Sequence, residues 1–141
     1  MNFVHEFPRA EHGQSLVVYV CHPYSDNVPL NVARVTGICR AITEAGHVPL
    51  APHLFLGDYV AEAIHRDLAM AHCKRLVEVC DQLWIFYPGK DLYDFGVSPG
   101  MQVEIAHARQ AWGATAAQRI KHIFFGKDQV YRRMVPAQQT P

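Results

Sequence analysis

Ser15-Leu16-Val17-Val18-Tyr19-Val20-Cys21 is a short, unbroken apolar run rich in β-branched residues, and it stops abruptly at His22-Pro23-Tyr24-Ser25-Asp26-Asn27. A strand with one wet face alternates apolar and polar residues. A run without that alternation is covered on both faces, as in parallel sheets flanked by helices. Beyond the break, Val28, Val32, Val35, Ile38 and Ile42 recur at helical spacing, and Gly46 stops that helix. His47–Ala51 reads as a second short strand, where Pro49, lacking an N–H, points to an edge or irregular position. From Gly57 to Cys80 the pattern is mostly helical: Val60, Ile64, Leu68 and Ala71 form one stripe, then Leu76 and Val79 continue out of phase, which predicts a break near His72. Leu83–Tyr87 is the most hydrophobic strand. Met101, Ile105, Ala108 and Trp112 stripe a further helix, and Arg119–Phe125 reads as a fourth strand.

Strands alternating with helices predict an α/β fold: a three-layer flavodoxin-like or Rossmann-like parallel sheet of four to five strands with helices on both faces. The expected domain spans 15–126, between a loose leader (1–14) and a C-terminal tail (127–141). The 13 basic and 13 acidic residues balance, which argues against a nucleic-acid polymer or an anionic membrane as partner. No apolar run reaches the ~20 residues of a membrane helix, and residues 1–14 lack a signal-peptide core, so a cytoplasmic location is expected. Cys21, Cys39, Cys73 and Cys80 show no C-x-x-C pairing and read as buried free thiols. His65, Asp67 and His72 miss helical zinc spacing; no metal and no cofactor are expected.

In such a fold ligands bind beyond the carboxyl ends of the strands. That edge gathers His22, Pro23, Tyr24 and Ser25 after the first strand, Pro52 and His53 after the second, and the segment Tyr87–Ser98 after the third. It also gathers the turn Gly100–Glu104, which includes Met101. Ser98-Pro99-Gly100 opens the last helix, where proline suits the first position and free N–H groups favour an anion. Glu104 lies about one turn inside. No Walker A, G-x-G-x-x-G or G-x-S-x-G sequence is present. The remaining carboxylate, aromatic hydroxyl and imidazoles suit N-glycosidic chemistry, in which a carboxylate attacks the anomeric carbon as the base leaves.

The runs VYVCHPYS, AGHVPLAPH, CDQLWIF and SPGMQVEIAHA, in this order and spacing, resemble a phage and bacterial domain family over about residues 16–125. That family is similar to the nucleoside 2-deoxyribosyltransferases and the deoxynucleoside 5'-monophosphate N-hydrolases. The resemblance implies Glu104 as nucleophile, with Tyr24 as the aromatic hydroxyl near it. Ser98 and Gly100 match the start of the hydrolase pattern S-x-G-x-G-x-E, which implies phosphate contact, while Gln102 replaces its second glycine. Those enzymes place a general-acid aspartate eight residues before the aspartate opening the third strand. With Asp81 in the latter place, Cys73 stands where the acid would be; Asp58, His65, Asp67 and Asp94 are the substitutes in the sequence. The family's oligomers share sites between subunits, so the resemblance implies a homodimer or larger homo-oligomer.

The expected catalytic residues are therefore Glu104 and Tyr24, and the expected substrate-binding residues are His22, Pro23, Ser25, His53, Ser98, Gly100 and Met101. The partner is a small-molecule nucleoside or nucleotide, cleaved or exchanged at its N-glycosidic bond. The alternative is a non-catalytic nucleotide-binding module using the same cleft. Plainer roles stay open beside these: Glu104 as an exposed helix residue, Tyr24 packing over the sheet end, His22 and His53 in structural hydrogen bonds, and Ser98 as an N-cap. Asp81 reads as structural, and Trp84 and Phe86 as core.

Overall fold

A computed structural model describes residues 7, 9–11, 13–24, 27–61, 64–87 and 97–125, with backbone only for 124, 125 and 131–136. The elements are β1 (Val17–Cys21), α1 (Val28–Glu44), β2 (Val48–Leu50), α2 (Arg66–Glu78), β3 (Gln82–Tyr87), α3 (Pro99–Trp112), α4 (Ala116–Arg119), β4 (Ile120–Phe125) and β5 (Tyr131–Pro136). The sheet order is β2-β1-β3-β4-β5. The first four strands run parallel, and β5 joins β4 antiparallel. The three-layer Rossmann or flavodoxin-like fold is thus present, with Pro49 on the edge strand.

Alternation along the central strands divides the core in two. Val18 and Val20 of β1, with Trp84 and Phe86 of β3, pack against Val35, Ile38 and Ile42 of α1. Tyr19 and Cys21, with Leu83, Ile85 and Tyr87, face the other way onto Val77 of α2 and Met101, Ile105, Ala108 and Trp112 of α3. Asp81 has the structural role read from sequence: its Oδ2 accepts the Val17 N–H at 2.8 Å, where β1 begins. Arg119 lies over the Trp112 ring at 4.0 Å and donates to the carbonyls of Cys80 and Asp81.

Three expectations change. The leader is not loose at Phe7, which is buried edge-on against Trp84 and Phe86. The Ala10 N–H also bonds the Ala45 carbonyl at 2.8 Å. Gly46 takes φ +93° there, and a Cβ on it would meet the Ala10 Cβ at 3.0 Å, so this turn requires glycine twice over. The second helix begins at Arg66, not near Gly57; short 3-10 turns, Pro52–Leu54 and Leu56–Asp58, precede it. It passes through His72 unbroken, because its buried face is the stripe of small residues Ala69, Cys73 and Val77. Ile64 and Leu68, which suggested another face, are 77% and 50% exposed. Finally, the stretch read as a tail contains β5, which pairs with the otherwise open side of β4.

Candidate functional site

Beyond the carboxyl ends of β1 and β2 lies a cleft of about 700 Å³, its open mouth included. Its lining draws on the loops after β1 and β2, on α2 and on the first turns of α3. Helix α3 starts where the sequence indicates: the Ser98 Oγ accepts the Met101 N–H at 3.3 Å, with Pro99 in the first turn. Capping and cleft lining coexist at Ser98.

Glu104 is buried, 6% exposed, so the surface reading of this residue is excluded. It sits on the inward face of α3 with Met101 and Ile105 and also lines the cleft. The Tyr19 hydroxyl donates to its Oε2, and the Cys21 thiol lies 3.7 Å from its Oε1. Both partners leave the same face of β1, two residues apart, as strand periodicity dictates. Burial, then the Glu104 carboxylate and then Cys73, hold the Tyr19 hydroxyl well above the usual phenol range. Burial and Glu104 do the same to the Cys21 thiol. These two groups stay protonated and act toward Glu104 as donors.

Tyr24 lines the cleft, packed edge-on to His53 at 5.4 Å between centroids. The hydroxyl that bonds Glu104 is Tyr19's, which the sequence reading had absorbed into a buried strand. Tyr19 and Cys21 are the residues of β1 whose side chains end in a donor, but nothing in the run itself names their partner. His22 and His53 line the cleft and also make structural bonds. His22 Nδ1 bonds the Pro23 carbonyl at 2.7 Å, and His53 Nε2–H donates to the His22 carbonyl at 2.7 Å. Burial pushes the His53 imidazole below its ordinary range, opposed by that bond, so it is neutral at physiological pH. Gly100 and Met101 line the cleft; Pro23 is not among the lining residues. Ser25 and Asp94 lie outside the described residues.

Cys73, on the buried stripe of α2, reaches the cleft and neighbours Tyr19. Asp58, His65 and Asp67 are not among the lining residues. Arg66, which no pattern in the sequence marks, does line the cleft; it opens α2 nine residues after the Gly57 start that the helical spacing predicts. Among the described residues no group of three or more His, Cys, Asp or Glu side chains is placed to hold a metal. None of the helices described is long and apolar enough to cross a membrane.

The pattern of a family described as a domain of unknown function, DUF7768, matches residues 16–116. The chain belongs to that family. The matched span runs from β1 through α3, so every cleft-lining residue is family sequence. No curated protein and no solved structure matches the chain.

Proposed function

We propose that the cleft binds a nucleoside or nucleotide and that Glu104 acts on its N-glycosidic bond, in the manner of the deoxyribosyltransferase-like enzymes the sequence resembles. One observation carries this reading: a buried carboxylate at the base of an open cleft, held by the Tyr19 hydroxyl. Taking a carboxylate out of water costs stability unless it is paired and hydrogen-bonded, so one held inside the core beside a cleft calls for a role beyond packing. In the proposed reaction a Glu104 oxygen bonds to the anomeric carbon. The bond to the base breaks, and its electron pair leaves with the base nitrogen, which takes up a proton. Water, or a second base, then opens the glycosyl ester and returns the carboxylate. Tyr19 orients the carboxyl group, and the Tyr24–His53 wall offers flat surfaces to a base.

The test is release of free base from a panel of ribo- and deoxyribonucleosides and their monophosphates. Release is expected from the native chain and its loss from Glu104→Gln, which keeps the shape of the side chain. No release across the whole panel would overturn the reading. Cys73 favours the second reading, binding without cleavage. It reaches the cleft at the position where the resemblance calls for a carboxylic acid, and proton delivery to a leaving group is worth about 10²–10⁴-fold. A ligand that raises the melting temperature and is recovered unchanged would decide for it. The homo-oligomer implied by the resemblance belongs to the same proposal, and sedimentation of the purified chain tests it.

A further inference from the structure

Tyr19 and Cys21 stand two positions apart on β1, so their Cα atoms are about 6.5 Å apart and both side chains leave the same face of the sheet. The longer side chain sets its hydroxyl against the Glu104 Oε2, and the shorter one sets its thiol 3.7 Å from the Oε1. One carboxylate thus meets a donor on each of its two oxygens, both supplied by a single strand. A donor on one oxygen still lets the group turn about its last bond, whereas a second donor on the other oxygen fixes its plane. Cys21 is fully buried, in the core cluster with Ile85, Tyr87 and Met101. There a thiol packs as a small hydrophobe and still donates weakly, while a hydroxyl would be costly wherever its bond was imperfect. Burial, then the Glu104 charge and its hydrogen bond, push the thiol up, so the proton it donates stays on sulfur.

We propose that Cys21 is a positioning residue: with Tyr19 it clamps both oxygens of Glu104, and its thiol fixes the plane in which the carboxylate meets the cleft. This rests on the reading of Glu104 given above and adds the group that aims the attacking oxygen. An oxygen that bonds to the anomeric carbon must point a lone pair along the line opposite the departing base, and a misaligned one slows the reaction without weakening ligand binding. No bond to sulfur forms or breaks, and the thiol keeps its proton throughout. Cys73 of α2 bonds the Tyr19 hydroxyl in turn, so the other half of the clamp is itself held.

The experiment joins infrared spectra of the thiols with steady-state kinetics of base release, both on the full chain. The S–H stretching band that vanishes in Cys21→Ala belongs to Cys21. In Glu104→Gln that band should move to higher frequency, because a neutral amide oxygen accepts more weakly than a carboxylate. Cys21→Ala should lower kcat about tenfold with KM moving less than about twofold, and Cys21→Ser, which keeps a donor there, should recover most of the loss. Ile85→Val trims the residue paired with Cys21 across β3, taking one methylene from the same layer, and should leave kcat unchanged. A band indifferent to Glu104→Gln would overturn the inference. So would a native kcat in Cys21→Ala, or a kcat that falls as far in Cys21→Ser or Ile85→Val as in Cys21→Ala. If the native chain releases no base, the glycosidic reading fails and the band alone decides: its shift keeps the clamp, and its indifference removes it.

Discussion

The two faces of the sheet are built from the same strands yet differ in kind. Toward α1, β1 and β3 present Val18, Val20, Trp84 and Phe86, closed over by Phe7. Toward α2 and α3 they present Tyr19, Cys21, Ile85 and Tyr87, where two groups with polar tips meet Glu104. Even Tyr87 continues the theme: its hydroxyl, pushed up to about 12 by burial, bonds the His122 ring 2.6 Å away. One face holds the fold together mainly by apolar contact, while the other gives up part of that contact to keep a carboxylate beside an opening. A single strand serves both because its side chains alternate.

The sharpest break of this comparison is Trp84→Ala. Trp84 is wholly buried on the apolar face, and its truncation should remove about 3–5 kcal/mol of stability in denaturant unfolding. The molecules that remain folded should bind ligand with unchanged affinity. Tyr19→Phe is the counterpart on the other face. It takes one donor from Glu104, which should lower stability by about 1–3 kcal/mol. On the proposed N-glycosidic reading it should also slow base release about a hundredfold, the usual scale for losing a donor to reacting charge. If Tyr19→Phe left turnover intact while Trp84→Ala abolished binding, the division of labour between the faces would be wrong.

A smaller effect should come from His53. Its folded-state pKa is depressed, so below its ordinary value near 6.5 the unfolded chain binds more protons than the folded one. Stability should therefore fall as pH drops from about 6.5 toward the depressed value, and His53→Gln should flatten that part of the profile. Smallest of all is the surface pair Glu78–His107, 2.7 Å apart where α2 meets α3. The His107 hydrogen bond, with Arg75 assisting, holds the Glu78 carboxyl below its ordinary 4.5. Its contribution is present above pH 4.5 and lost as pH falls through the folded-state value. Melting temperatures of Glu78→Gln and the native chain should converge there, with cleft binding unaffected at neutral pH.

The fold was legible wherever burial was expressed as large apolar residues. β1 and β3 announce themselves by unbroken runs, α3 by its stripe from Met101 to Trp112, and the edge position of β2 by Pro49. Glu104 was legible because Ser98-Pro99-Gly100 fixes where its helix starts. Legibility failed where small residues do the packing. Ala69, Cys73 and Val77 form the inward stripe of α2, while the bulkier Ile64 and Leu68 face out and draw the eye to the wrong side. That error displaced the start of α2 and hid Arg66. Tyr19 was hidden differently: a tyrosine inside a buried strand looks like core until its hydroxyl's partner, 85 positions away, is known. Long-range pairing of that kind leaves no local trace.

The clip of Phe7 and Ala10 onto the end of α1 bears on what counts as one folding unit. The family pattern begins at residue 16 and ends at 116, yet Phe7 packs on Trp84 from outside it, and Ile120 and Ile123 of β4, also outside it, belong one to each core cluster. The segment that defines the kinship is therefore shorter than the segment that packs into one core. A chain cut to the family's borders would keep every residue of the cleft and lose aromatic and aliphatic closure at two places on the sheet. Inheritance and packing draw different boundaries around this molecule, and the wider one is set by the core.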